Sequence, residues 1–271
     1  MSDLGNLQPA LLVDMQNAMV ALALSTPRIL VCLVILPGFG LNVLTGMAKN
    51  IAAMAIALPA ALPTYYAVQR FGPDFLMCGM LIFKEAAIGL LLGMLTAMPL
   101  WAVQSVGAIL DSQRSAVQIQ TNNAGVDRDA SAIGGVLIQA VVLVMVQAGL
   151  FLALARILVE SYAAWPAWSL APPFEPGHMD LLIKRFGLLF WHIIVYGAPV
   201  IVPLILIELA FALIGVFASN LQVSFASAPI KSLTGVVILL LYWPTLAHHV
   251  AGDFSRLLDL TGSLVGVQRG P

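Results

Sequence analysis

Five charged residues interrupt otherwise apolar sequence: Arg28, Lys84, Glu85, Glu208 and Lys231. A charge at the centre of a membrane helix costs about 2.5–3.5 kcal/mol, so each is expected to face protein or water rather than lipid. Such groups can pair as structural ions or pass protons. Ion pairing is the simpler account, because no further chain of His, Asp or Glu accompanies them. Lys84 and Glu85 are adjacent, hence about 100° apart on a helix, and are expected to face different ways. At least one should then meet a different helix or a different chain. A second polar feature begins at Asp111. The stretch DSQRSAVQIQTNNAGVDRD, 111–129, is mostly amide, hydroxyl and charge between two strongly hydrophobic flanks.

Motifs for catalysis are missing. The chain has no H-E-x-x-H, no G-x-S-x-G and no C-x-x-C, so neither a zinc hydrolase, a serine hydrolase nor a redox pair is indicated. An intramembrane hydrolase lacks any nucleophile–base pair. His248-His249 lies beside a helix end and reads as interfacial rather than metal-binding, and His192 stands alone in an apolar run. The cysteines, Cys32 and Cys78, sit within apolar runs and read as small buried hydrophobes, not a disulfide. No catalytic residue, metal site or cofactor is expected.

The elements that position these residues follow from composition. Of 271 residues, 61% are hydrophobic and 9% charged, with mean hydropathy +0.98. Soluble domains run about 45–50% apolar and about 25% charged, so this is an integral membrane protein. A net charge of −1 provides no basic stripe for nucleic acid. The first residues carry no Lys or Arg before the apolar region, which is not the pattern of a cleavable signal.

Crossing a bilayer takes about 20 apolar residues. With turn residues as boundaries, helices are expected over about 14–36, 43–62, 74–110, 130–162, 178–218 and 224–250. Pro63 and Gly72-Pro73 should close the second, while Pro199 and Pro203 should kink or break the fifth. A Pro/Trp-rich connector, WPAWSLAPPFEPG, covers 165–177. With those crossings, one side holds Arg70, Lys184, Arg185, Arg256 and Arg269, and the other Lys49, Arg114, Arg128 and Lys231. That near balance is no positive-inside bias, which is odd for a conventional bundle. Gly89 and Gly93, four apart, would let helix backbones approach closely, and Gly79, Ala86 and Gly93 add a small-residue stripe.

KEAAIGLLLG (84–93), GAILDSQR (107–114) and ASNLQVSFASAPIK (218–231), in that order, resemble the T subunit of the type III secretion export apparatus. The flagellar counterpart, the R subunit of the same family, shares the pattern, and the resemblance covers nearly the whole chain. Ser115 replaces a common family Gly. Val216-Phe217-Ala218-Ser219-Asn220 replaces an Arg-x-Ala-Pro-Gln stretch, whereas Pro229-Ile230-Lys231 survives. These departures favour an injectisome member over a flagellar one.

The resemblance implies an all-α, polytopic fold of hydrophobic helical hairpins, stacked in a helical export-gate assembly, with 1–271 as a single subunit domain. It implies a pore-forming subunit of a protein-export gate in the bacterial inner membrane, raised towards the periplasm. Its partners would be the two other small hydrophobic gate subunits (R-type and S-type), the export switch protein and the large export gate protein. Unfolded secreted proteins would be the cargo. The loop after Asp-x-Gln-Arg would project into the pore as a plug, making Gln113, Arg114, Val117, Gln118, Ile119, Gln120, Asn122 and Asn123 its gating residues. A solvated interhelical loop is the plain alternative. Lys84, Glu85, Asp111, Glu208 and Lys231 would be intersubunit or buried polar residues. A secondary transporter for small solutes is the rival reading, although the two related halves it calls for are not visible in the sequence.

Overall fold

A computed structural model describes residues 3–37, 46–72, 74–115, 131–170, 177–217 and 223–264. Its elements are α1 (Asp3–Ile35), α2 (Gly46–Phe71), α3 (Phe75–Ser115), α4 (Ala132–Gln147), α5 (Leu150–Ala164), α6 (Gly177–Phe217) and α7 (Val223–Leu264). The fold is all-α. Among the described residues, five helices are long and apolar enough to cross a membrane, six if α4 and α5 together count as one broken span.

Several boundaries differ from the sequence expectation, each for a physical reason. α1 starts at Asp3 and α7 runs to Leu264, because a helical backbone continues past the apolar stretch that hydropathy detects. Pro63 does not close α2. Both Pro59 and Pro63 lie inside it, and the helix stops only at Gly72, whose φ of 53° supplies the left-handed turn. A proline removes one backbone bond, but in apolar surroundings the remaining ladder has no water to exchange with and persists. α6 likewise continues as one element through Pro199 and Pro203. The expected single helix over 130–162 is instead two, α4 and α5. Gly149, at φ 71°, ends the first inside an apolar run that contains no proline. There the decisive signal was one glycine, not hydropathy.

The chain gathers into two compact units. The first holds α1, α2, α3 up to Ala97, and α5 with the connector that follows it. Its core includes Ala21, Leu24, Val68 and Leu81, with Tyr65, Met77 and Trp168 packed against them. The second holds α3 from Met98, α4, and most of α6 and α7. Leu110, Val200 and Leu204 form a cluster there, flanked by Ile133, Ile238 and Tyr242.

Candidate functional site

In the first unit, three buried charges converge on one connector. Glu85 accepts from Arg28 twice, from Nε at 2.8 Å and Nη2 at 2.9 Å. This bidentate geometry joins α3 to α1 and is the strong form of a charged hydrogen bond. Lys84 Nζ also lies 2.6 Å from Glu85 Oε1. The neighbours thus meet different elements, Glu85 reaching α1 and Lys84 the connector, but their charged ends also meet each other. Their Cα–Cβ bonds diverge, but the long lysine stem lets its ammonium curl back to the carboxylate.

Two cations against one carboxylate leave a positive excess, and backbone carbonyls balance it. Lys84 Nζ donates to the carbonyls of Pro166, Ala167 and Ser169 at 2.9–3.0 Å. Arg28 donates to Trp165 O at 2.9 Å and to Ser161 Oγ at 2.8 Å. These acceptors lie at and just beyond the C-terminus of α5, where the helix dipole favours cations. Tyr162 closes the site from above: its ring lies 4.0 Å from the Arg28 guanidinium carbon, and its hydroxyl donates to Ser25 O. Arg28 and Glu85 are fully buried.

Close helix contact makes this site possible. A Cβ at Gly89 would lie 2.2 Å from Arg28 O, and one at Gly93 would lie 3.0 Å from Cys32 Cα. The two glycines of α3 thus face a matching four-residue step on α1. Among the described residues Gly79 meets nothing within 4 Å, so of the longer stripe read from the sequence Gly93 packs against α1 and Gly79 does not.

In the second unit, Asp111 ends up joining two helices. Its Oδ2 accepts from Ser131 Oγ at 2.7 Å and from the Ile133 amide at 2.8 Å. Ser131 is the N-cap of α4 and accepts from the Gly134 amide at 2.8 Å. Beside it, α3 and α4 touch through glycine, since a Cβ at Gly107 would lie 2.4 Å from Gly134 Cα. Asp111 therefore binds the last turns of α3 to the first turn of α4. The segment between them, 116–130, lies outside the described residues, and so do Val117, Gln118, Ile119, Gln120, Asn122 and Asn123. Gln113 and Arg114 fall in the last turn of α3.

Glu208 and Lys231 pair across α6 and α7 at 3.3 Å, with Lys231 buried and Glu208 largely exposed. Sequence reasoning missed a further cluster on these helices. Tyr196 donates to Asp253 at 2.5 Å, and His192 Nε2 lies 3.2 Å from the same carboxylate oxygen. The i, i+4 spacing of His192 and Tyr196 was visible, but nothing in sequence tied Asp253 to them. Lys49 was also missed as a core residue. Its ammonium is buried with no hydrogen-bond partner among the described residues. His249 bonds the Thr245 carbonyl of its own helix. Among the described residues, no three His, Cys, Asp or Glu side chains gather closely enough to hold a metal ion.

The fold and its polar sites define a multi-pass helical membrane protein whose intramembrane charges are mostly spent on joining helices. Residues 19–257 match the family model described as "Bacterial export proteins, family 1". The chain is 31% identical to the Yop proteins translocation protein T of Yersinia pestis, over 93% of this chain and 97% of the relative. It is 28% identical to the surface presentation of antigens protein SpaR of Salmonella typhimurium, over 89% and 90%. Against the flagellar biosynthetic protein FliR of Caulobacter vibrioides, identity is 21%, over 88% and 94%. The chain belongs to the bacterial export proteins, family 1, the family of the type III export-apparatus T subunit. Within it, the higher identities lie on the injectisome side. It is a multi-pass protein of the inner membrane.

Proposed function

We propose that this protein is a non-enzymatic, pore-forming subunit of a type III secretion export gate, completing the entrance of the export channel. The observation that best supports this is the surface of α6. Its span Phe190–Phe217 has a mean hydropathy of 2.8 yet is only 11% buried within the chain. At 1.5 Å per residue that span is roughly 42 Å long, against a hydrocarbon core of about 30 Å. Part of so long an apolar surface calls for protein cover. R-type and S-type subunits are the natural cover, with the export switch protein and the large export gate protein as further partners. Unfolded secreted proteins are the cargo. The assembled gate would be raised towards the periplasm.

The stretch 111–129 acts in this reading as a plug. Its amides offer donors and acceptors that bond a passing backbone without selecting one cargo sequence. Each such bond is worth only about 0.5–1.5 kcal/mol net, weak enough for cargo to displace them one at a time. The clasp of Asp111 on Ser131 and Ile133 supports the reading, because it fixes where the two stems of that stretch leave the helices. Deleting Ala116 to Ala124 spares that clasp. In cells that assemble the whole apparatus, the deletion should raise permeability to ions or small dyes. The same deletion without the partner subunits should not. Unchanged permeability in the assembled deletion complex would reduce the stretch to an ordinary interhelical loop.

A further inference from the structure

Two polar ties join α6 to α7, and they are unequally spaced on the two helices. One is Glu208 with Lys231, at 3.3 Å. The other is Asp253 Oδ2, which accepts from the Tyr196 hydroxyl at 2.5 Å and lies 3.2 Å from His192 Nε2. From Glu208 back to Tyr196 is 12 residues, roughly 18 Å of helix. From Lys231 on to Asp253 is 22 residues, roughly 33 Å.

Near the first tie the helices run in step. A Cβ at Gly235, four residues past Lys231, would lie 3.6 Å from the side chain of Leu204, four before Glu208. Ile238, Leu239 and Tyr242 pack on the cluster that holds Val200 and Leu204. In the same register Tyr196 would face Trp243. Asp253 would stand roughly 15 Å further along the axis. Side chains that stand out sideways from a helix do not close such a gap, so the longer path bends. Of the α7 residues between the two ties, Pro244 alone lacks a backbone N–H, and a proline inside a helix kinks it. Beyond it Leu246, Val250 and Phe254 are buried at four-residue steps, so that part of α7 is a packed arm and not a frayed end.

We infer that α7 is a jointed helix, with its joint at Pro244 and a second arm, from Thr245 on, latched to α6 by the contacts of Asp253 with Tyr196 and His192. The latch is built to open. The side chains of His192 and Asp253 are 23% and 20% exposed, so water can take over their bonds. The tie between Glu208 and Lys231 lies on the other side of the joint and holds the first arm when the latch lets go. The inference concerns this chain alone and does not depend on the export-gate reading.

The test measures the bend. The full chain, in mild detergent with whatever subunits accompany it, carries spin labels at Leu233→Cys and Gly252→Cys, with both native cysteines replaced by Ala. Leu233 and Gly252 are exposed, and a Cβ at Gly252 meets nothing within 4 Å. The two positions are 19 residues apart, roughly 28 Å in a straight helix. With the latch intact, a single narrow distance several ångströms shorter is expected. Tyr196→Phe combined with His192→Leu removes both groups that hold the carboxylate, and the distribution should become about twice as wide and extend to longer distances. Adding Pro244→Ala should then bring it to the straight-helix value. Asp253→Asn, which leaves the apolar contacts in place, should also widen it. A straight-helix distance with the latch intact would overturn the joint. A distribution that stays short and narrow in every latch variant would overturn the latch. Widening in the double variant alone, with Asp253→Asn as narrow as the native pair, would assign the effect to packing and overturn the latch as well.

Discussion

Replacing Glu85 with Ala should destabilise the protein more than any other single side-chain truncation among its buried charges. Glu85 is the only carboxylate bonded to Arg28 and Lys84 among the described residues, and all three are enclosed. Its loss leaves two cations facing carbonyl dipoles alone. Breaking one buried pair costs about 3–5 kcal/mol, a large part of the roughly 5–15 kcal/mol that keeps a domain folded. The unfolding midpoint in mild detergent should drop sharply, and yield with it. Glu85→Gln should fall between, since it keeps an acceptor for Arg28 while losing the charge. Arg28→Met together with Glu85→Leu should be milder than Glu85→Ala, because packed hydrophobes often replace a buried pair at little loss. Lys84 retains its three carbonyl acceptors in that double variant. If Glu85→Ala unfolds at the wild-type midpoint, the cluster does not hold the helices together.

The second large effect is expected at Gly89. A methyl there meets the Arg28 carbonyl at 2.2 Å, and the obstacle is backbone, so α1 and α3 must separate. Overpacking of this kind typically costs about 1–3 kcal/mol, occasionally more. Here it should be at the upper end, since any separation also lengthens the two Arg28–Glu85 bonds. Gly93→Ala should cost less, its nearest atom being Cys32 Cα at 3.0 Å. Gly79→Ala meets nothing within 4 Å and should be neutral or stabilising by up to about 1 kcal/mol, through helix propensity alone. Ranked unfolding midpoints of the three variants test the order. Equal effects at Gly79 and Gly89 would contradict the close α1–α3 contact.

The membrane class and the helices could be read from hydropathy, because long apolar runs have few other uses. What escaped was decided by single backbone features. Gly149 splits an apolar run at a left-handed φ, and a hydropathy window averages that away. Pro63, a strong breaker in water, is tolerated in α2 because no solvent competes for the remaining bonds. Lys84 and Glu85 could be picked out as residues that need partners. Their partners could not, because three of the Lys84 acceptors are carbonyls of Pro166, Ala167 and Ser169, which have no side-chain signature. Gly89 and Gly93 announced a close approach by their spacing, but nothing in the sequence named Arg28 and Cys32 as the backbone opposite. Asp111 belonged to a recognisable motif, yet its bond to Ser131 spans the whole polar stretch between them.

The central claim, that this chain is one subunit of a multi-chain export gate, is tested most directly by its state after gentle extraction. The full chain is produced with and without the R-type and S-type subunits proposed as its partners, solubilised in mild detergent, and its particle mass measured by light scattering on a sizing column. With partners, a single species of defined mass containing all of them is expected. Alone, the chain should be heterogeneous or poorly recovered, because the apolar faces of α6 and α7 remain uncovered. A homogeneous, well-folded monomer that ignores the partners would contradict the claim.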